Sequence, residues 1–307
     1  MAQFLGIRAW PMTAAAIVVL FSGIVSRADE ARPPATSRPA AGTPKLFGFC
    51  MDVADSKHRS LPEQARMLRN LGFDGAAYGL WLGKDLDRNL RTFDEAGLNI
   101  YLFETRINIA QPVDLRPGPG GIVEAIGKLK GRPAIISVQL YGFPPRDPRG
   151  EEPAVRILRQ LGDLAAASGL RISIYNHVGN WTESVPYALK IAKKANHPQV
   201  GVNFNLCHWL FVDGDKDYRA VLRAGAGKIF VVTINGAKVG SKSWSDGLIL
   251  PLDQGDFDNR QLLATLRAIG YHGPIGVMCY GLPGDAAQYL RRSMNVWKAW
   301  EADWKKK

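Results

Sequence analysis

The chain has 307 residues, of which 46% are hydrophobic, and its 39 Lys and Arg against 28 Asp and Glu give a formal net charge of +11. This length and apolar content suffice for one large core, which excludes a small scaffold. The three cysteines are too few for a disulfide framework, and the moderate basic excess falls on predicted helices and the C-terminus, so no nucleic-acid partner is expected.

The first 44 residues precede the predicted fold. A charged start at Arg8, an apolar run over residues 13–25 and a Ser-Arg-Ala ending at 26–28 are typical of a secretory signal. The run is shorter than the roughly 20 residues of a membrane-spanning helix. We therefore predict a signal peptide at 1–28, no stable membrane span after its cleavage, and an exported protein, periplasmic or secreted. Residues 29–44 are rich in Pro and Ala and predict a disordered linker.

Residues 45–307 show no further linker and predict one domain. Short β-rich runs alternate eight times with amphipathic stretches, which indicates parallel strands joined by helices. The predicted strands are 46–50, 73–78, 98–103, 133–140, 171–175, 200–204, 229–234 and 275–279. Eight units over about 260 residues match an α/β fold, a single (β/α)8 TIM barrel. An open doubly wound sheet, the rival fold, would require a Gly-rich turn after the first strand. Residues 50–54 contain no glycine, so the sequence favours the barrel.

The helices fill the gaps between these strands. Residues 61–71 and 155–167 each place their apolar side chains on one face. Five glycines follow helical stretches and are predicted to end them in the left-handed conformation: Gly72, Gly97, Gly131, Gly169 and Gly270.

The strand-to-helix loops of such a barrel form its active face, and this sorts the five histidines. His177 and His208 directly follow the fifth and sixth strands and are the main candidates. His58 lies in the first strand-to-helix loop. His197 and His272 precede strands, so they are expected at the opposite end.

Polar and aromatic residues are frequent at the same strand ends. They are Asp52, Glu104, Arg106, Gln139, Tyr141, Asn176, Trp181, Glu183, Asn205, Trp209, Asn235, Lys238 and Tyr280. Aromatic walls with amide donors suit a small carbohydrate, because a sugar ring offers apolar faces and many hydroxyls. The alternative for each residue is that it caps a helix or closes the barrel mouth.

Five segments resemble the second half of the xylose isomerase-like barrels, a group of sugar isomerases, sugar epimerases and endonuclease IV. They are residues 170–178 (LRISIYNHV), 200–210 (VGVNFNLCHWL), 231–237 (VVTINGA), 250–257 (LPLDQGDF) and 270–280 (GYHGPIGVMCY). The layout resembles this family over most of residues 45–307, and the order and spacing of the motifs are more specific than any single motif.

The resemblance implies a divalent metal at the barrel mouth, held by carboxylates and histidine after strands five to eight. This sequence departs from that pattern: the implied ligand positions hold Tyr175, Asn205, Thr233 or Asn235, and Met278 or Cys279, and only His177 and His208 persist. Hard cations need charged oxygen ligands, so we expect no cofactor and no bound Mg, Mn or Co. The alternative is zinc or copper on His177, His208 and Cys207 or Cys279.

The resemblance implies an isomerase, epimerase or lyase that removes a proton next to the carbonyl of a sugar or keto-sugar. Such chemistry needs a base and a donor for the developing enolate. Glu104 or His177 is the expected base, with His208 and Lys238 as acid or oxyanion donor. The expected substrate contacts are Gln139, Asn176, Trp181, Asn205, Trp209, Asn235 and Tyr280.

Several alternatives stay open at this point. Glu104 and Arg106 would pair on the rim if the glutamate had no catalytic role. The chain as a whole would be a carbohydrate-binding barrel if losing the metal site had ended catalysis. A DNA-repair endonuclease is disfavoured, because an exported chain meets no genome.

Cys50 and Cys279 end strands that a closed barrel makes adjacent. We therefore expect them to lie close together and to be able to form a disulfide. The oligomeric state is left open.

Overall fold

The structure, a computed structural model, describes residues 43–113, 115 and 118–305. The predicted signal peptide and almost all of the predicted linker lie outside the described residues. Eight parallel strands close into a barrel in chain order, with the first strand paired to both the second and the eighth. The predicted single (β/α)8 barrel is confirmed.

The strands agree with the predicted ones in number and order. They are β1 (Leu46–Phe49), β2 (Gly75–Gly79), β3 (Asn99–Asn108), β4 (Ile135–Tyr141), β5 (Arg171–Ile174), β6 (Val200–Asn205), β7 (Ile229–Ile234) and β8 (Ile275–Met278). The helices are α1 (Leu61–Leu71), α2 (Lys84–Glu95), α3 (Ile122–Lys128), α4 (Glu151–Ser168), α5 (Val185–Ala195), α6 (Leu206–Val212), α7 (Tyr218–Ala224), α8 (Asn259–Ala268) and α9 (Ala286–Lys305). None of the helices in the described part of the chain is long and apolar enough to cross a bilayer.

Packing fixes the floor of the barrel. The Phe47 ring lies so close to β8 that a Cβ on Gly276 would come within 2.6 Å of it, so only glycine fits there. Above this floor, Asn203 donates to Ser137 Oγ at 2.8 Å and accepts from Ser173 Oγ. This buried polar layer joins three strands and supports the side chains above it.

Helix ends follow the expected chemistry. Gly72 ends α1 with φ of 89° and Gly169 ends α4 with φ of 71°, and Gly97, Gly131 and Gly270 also have positive φ. The predicted left-handed ends are confirmed at all five glycines.

An ion-pair cluster joins the first and last strand-to-helix loops across the closure of the barrel. Arg59 binds Asp55 at 2.8 Å and Asp285 at 2.7 Å, and Asp55 also accepts the backbone N–H of Ala286 at 3.1 Å. The Asp55 side chain is only 2% exposed. The cluster therefore fixes the start of α9 to the loop after β1.

Candidate active site

A cavity of about 360 Å³ opens at the carboxyl ends of the strands. Its described lining is Cys50, Val53, Glu104, Gln139, Tyr175, His177, Val178, Cys207, His208, Trp244, Ile249, Met278 and Tyr280. This is the end at which strand-to-helix loops converge, where the fold places catalytic groups.

The two histidines of the cavity are in contact. The ring centroids of His177 and His208 are 4.3 Å apart, and both rings meet Tyr175 edge-on, at 5.7 and 5.6 Å. The expected proximity of the two histidines is confirmed. Burial lowers the pKa of His177 and, assisted by the neighbouring His177, lowers that of His208 well below its ordinary value. Both imidazoles are therefore neutral at neutral pH.

The main-chain groups of one residue, Val178, assign opposite tautomers to the two rings. His177 Nδ1 lies 2.8 Å from the Val178 carbonyl oxygen, which can only accept, so Nδ1 carries the proton and Nε2 is an acceptor. The Val178 N–H donates to His208 Nδ1 at 3.4 Å, so the proton of His208 is on Nε2. His177 thus offers a base and His208 a donor.

Glu104 faces the same cavity from β3. Burial raises the pKa of its carboxyl group to about 7, against the opposing effect of a hydrogen bond from Gln139. Gln139 Oε1 accepts from Asn180 Nδ2 at 3.1 Å, which leaves the Gln139 amide N–H groups to donate to Glu104. Glu104 Oε1 is buried and has no partner among the described residues. The carboxyl group is therefore positioned to exchange a proton near neutral pH.

Below the histidines, Asn205 ends β6 and caps α6. Its Oδ1 accepts the His208 N–H at 3.4 Å and the Cys207 thiol at 2.9 Å, and its Nδ2 donates to the Tyr175 hydroxyl at 2.7 Å. Asn176 exchanges hydrogen bonds with the Asn205 backbone, accepting its N–H at 3.0 Å and donating to its carbonyl at 3.3 Å. These bonds fix the Asn205 amide in one orientation.

Three apolar or aromatic side chains stand at the cavity mouth. Val53 and Tyr280 are each 54% exposed and Trp244 is 37% exposed. Trp244 stacks on Phe211 at 5.3 Å between ring centroids and meets His208 edge-on at 5.3 Å. These side chains come from the loops after β1, β7 and β8, and they line the entrance of the cavity.

The structure brings five of the predicted site residues to the cavity, and they are Glu104, Gln139, His177, His208 and Tyr280. Lys238 does not line the cavity, because it pairs with Asp246 at 2.6 Å on the surface, and its role as acid or oxyanion donor stays a prediction. The alternative Glu104–Arg106 pair is not formed, since Arg106 lies over the Tyr141 ring at 4.6 Å.

The remaining predicted substrate contacts are buried and do not line the cavity, so their contact with a substrate stays a prediction. Trp181 is fully buried and donates from Nε1 to the Asp147 carbonyl at 2.8 Å, whereas Trp209 packs on Phe204. Asn176 and Asn205 form the hydrogen bonds given above. Asn235 donates to the carbonyls of Gly236 and Leu248, both at 2.8 Å, and so fastens the loop after β7. Asn176, Trp181 and the Asn235 Nδ2 group bond to main-chain groups, the structural role that the sequence left open. The buried Asn235 Oδ1 has no hydrogen-bond partner among the described residues.

The predicted far-end histidines do not line the cavity. His197 lies in the turn before β6, with Nε2 3.2 Å from Asp163 and its ring packed under Gly162 of α4. His272 lies in the turn before β8 and is exposed. Both therefore precede strands, as the sequence predicts.

Sequence reasoning missed several lining residues, above all Trp244 and Ile249 in the loop after β7. The available signal is a lone tryptophan in an unusually long strand-to-helix loop.

The three cysteines are all free thiols. Cys50 and Cys279 do follow paired strand ends, Phe49 beside Met278, but no bridge is formed.

The residues at the implied ligand positions do not fit a hard divalent cation. Tyr175 and Asn205 bond to each other, Thr233 Oγ1 is a neutral hydroxyl, and Met278 offers a thioether. In the described part of the chain, no group of three or more His, Cys, Asp or Glu side chains converges as metal ligands. Glu183 bonds the Gly179 N–H at 3.1 Å and does not line the cavity.

Comparison with known proteins agrees with this barrel. The 3-dehydroshikimate dehydratase of Pseudomonas putida is 30% identical over 132 residues, which are 41% of this chain and 20% of that protein. The match thus spans about a fifth of the relative's length.

Solved structures show the same fold at low identity. The probable 3-DHS dehydratase AsbF from Bacillus anthracis has 14% identity and a TM-score of 0.58, covering 83% of this chain and 98% of that one. The 3-keto-D-glucoside 4-epimerase YcjR from E. coli has 17% identity and a TM-score of 0.60, covering 83% and 99%. The profile of a family described as xylose isomerase-like TIM barrel matches residues 123–300, more than half of the chain. The chain therefore belongs to the xylose isomerase-like TIM barrel family.

Proposed function

We propose that this protein is an enzyme that removes and returns a proton at the carbon next to the carbonyl group of a neutral sugar or keto-sugar. The observation that carries the proposal is the pair of neutral histidines with opposite tautomers on one cavity, His177 as acceptor and His208 as donor. Relatives named as a dehydratase and an epimerase support it, since both reactions on keto compounds begin with loss of such a proton.

The proposed step is balanced without an oxidant or reductant. His177 Nε2 takes the C–H proton, the C–H electron pair becomes part of an enolate, and the enolate oxygen accepts a hydrogen bond from His208 Nε2–H. Return of a proton to the same carbon from the opposite face gives an epimer. Return to the former carbonyl carbon gives an isomer when the proton of the α-hydroxyl group moves to the former carbonyl oxygen. Loss of a β-hydroxyl as water gives elimination. Glu104, with its pKa near 7, is the group that supplies this second proton.

The lining favours an uncharged substrate. Among the described lining residues there is no Lys or Arg, whereas a phosphate or carboxylate group needs such partners when it leaves water. The exposed rings of Trp244 and Tyr280 suit the apolar face of a sugar or of a glycoside's substituent. We therefore place neutral keto-sugars and keto-glycosides ahead of sugar phosphates. We also place the activity outside the cytoplasm, on the secretory pattern of residues 1–28.

The test is exchange of substrate hydrogen with solvent. Purified protein is incubated in D2O with a panel of neutral keto-hexoses and 3-keto-glycosides, and loss of the C–H signal beside the carbonyl is followed by NMR. We expect exchange with at least one compound. H177A and H208A should each lower the exchange rate by about 100-fold or more, because H177A removes the base and H208A removes the donor to the enolate oxygen.

A matched control is H272A, which removes an exposed histidine outside the cavity and should leave exchange unchanged. All three variants should keep the wild-type circular dichroism spectrum. Saturable sugar binding without exchange would support the carbohydrate-binding barrel instead. Unfolding of H177A or H208A would assign these histidines to the core.

A further inference from the structure

We propose that the phenol of Tyr175 is a second catalytic hydrogen-bond donor, which together with His208 polarises the substrate carbonyl at the position where the family resemblance implies a metal-binding carboxylate. This inference rests on the proposed function and names the electrophile for its reaction. It starts from the orientation of one amide group.

The start of α6 sets the direction of the Asn205 amide. The first backbone N–H groups of a helix have no partner within it, and here that of His208 is satisfied by Asn205 Oδ1. The Cys207 thiol donates to the same oxygen. The opposite end of the amide, Nδ2, therefore faces Tyr175, and an amide nitrogen can only donate.

The phenol oxygen of Tyr175 must then be the acceptor of that bond, at 2.7 Å. Its own proton has no acceptor among the described residues, although the side chain is only 2% exposed and lines the cavity. Burial holds the pKa of Tyr175 well above its ordinary value, so the group remains a phenol. A buried O–H without a protein partner is a donor kept for a ligand.

The two donors belong to neighbouring side chains that line the same cavity. The Tyr175 ring lies edge-on to His208, with 5.6 Å between ring centroids, and the proton of His208 is on Nε2. Fixed donors in a cavity shielded from water stabilise a developing oxyanion far more than solvent does, and losing one donor from such a pair typically costs about 100- to 1000-fold in rate. The pair would supply the carbonyl polarisation that a metal supplies elsewhere.

The inference is tested with a probe that needs no turnover. Electron-poor phenols that ionise below pH 6 present a phenolate oxygen like that of an enolate, and their absorbance reports binding. At pH 6, where Glu104 is mostly protonated, we expect wild-type protein to bind them and Y175F to bind at least 10-fold more weakly. The control is Y218F, which removes a surface hydroxyl bonded to Gln261.

N205D tests the amide argument while keeping the phenol. An aspartate accepts both the His208 N–H and the Tyr175 proton, which turns the phenol away from the cavity. We expect N205D to lose phenolate affinity as Y175F does. Because N205D retains the phenol, it keeps the inference falsifiable if Y175F does not fold.

The outcomes separate this inference from the proposed function. With a keto-sugar substrate, Y175F should lower kcat about 100-fold and change KM less than about 3-fold, since the bond strengthens in the transition state. Unchanged phenolate affinity in Y175F, or no binding by wild type, overturns the inference and leaves the exchange reaction standing. Phenolate binding that depends on Tyr175, without C–H exchange on any substrate, supports the donor pair and overturns the proposed reaction.

Discussion

At the scale of single residues, the environment of Glu104 links the reaction to stability. Its pKa of about 7 in the folded protein lies above the ordinary glutamate value of 4.5. Below pH 4.5 the Glu104 carboxyl group is protonated in both the folded and the unfolded state, so its ionisation does not change the free energy of unfolding. Between pH 4.5 and 7 the unfolded state ionises first, and the free energy of unfolding falls as pH rises.

We therefore predict that E104Q stabilises the protein above pH 7 and leaves its stability unchanged near pH 4.5. The gain at pH 8 should be about 2 kcal/mol, less than the full shift implies because the side chain is partly exposed. Urea unfolding at the two pH values measures it. In the wild type, the C–H exchange rate should change with an apparent pKa near 7, and this inflection should be absent from E104Q. The same stability gain at both pH values would show that burial does not shift the pKa of Glu104.

Residue-level reasoning from the sequence identified the groups whose chemistry is visible in their type, such as Glu104, His177 and His208. It could not distinguish a ligand contact from a cap. Asn205 is a good candidate in either role, and only the geometry of α6 shows that its amide satisfies a helix end. The donor role of Tyr175 depends on that same orientation, which no spacing in the chain encodes.

At the scale of elements, strand number and order were predictable because short apolar runs alternate eight times with amphipathic stretches. The lengths of the strands at the cavity mouth were less predictable. Strand β3 extends to Asn108, five residues past its predicted end, and pairs with β4 from Leu102 through Asn108. Glu104, Thr105 and Arg106 have the composition of a loop, but main-chain pairing continues through them because their side chains face the cavity or solvent rather than the core.

The contact between the first and last strand-to-helix loops gives an element-scale prediction. Burial alone would raise the pKa of Asp55, but hydrogen bonds from Ala286, Lys57 and Arg59 overcome it and lower the pKa. Asp55 thus stabilises the fold above the ordinary aspartate pKa of about 3.9, and this contribution is lost as pH falls through its lowered value. We expect D55N to lower the free energy of unfolding at pH 7 by about 2 kcal/mol, because Arg59 and the Ala286 N–H lose a charged acceptor.

Urea unfolding of D55N between pH 2 and 7 is the measurement. The difference from wild type should shrink toward acid pH. The control is D85N, which breaks an exposed pair with Arg88 and should cost less than about 1 kcal/mol. Equal losses in the two variants would mean that the link between the two loops contributes no more than a surface ion pair.

At the scale of the whole molecule, the barrel and the metal chemistry of its family are separable. Closure of the sheet depends on buried strands and on close contacts such as Phe47 against Gly276, none of which involves the mouth. The cavity can therefore exchange a metal-binding ligand set for a hydrogen-bonded one without loss of the fold. This is why the sequence predicts the architecture more specifically than it predicts a reaction.

The ligand chemistry leads to the last prediction, that the folded protein needs no Mg, Mn or Co. A hard divalent cation requires several oxygen ligands, usually with carboxylate charge to offset the loss of its water. The implied positions offer Tyr175, Asn205, Thr233 or Asn235, and Met278 or Cys279. Elemental analysis of protein purified without added metal should give well under one equivalent of each ion. The C–H exchange rate should remain within about 2-fold after dialysis against a chelator and after addition of Mn. N205D restores an Asp-x-x-His sequence before α6, and it should bind metal no better, because the other implied positions remain uncharged. Stoichiometric metal whose removal abolishes exchange would contradict this prediction, and the ligands would then be sought among His177, His208 and Glu104.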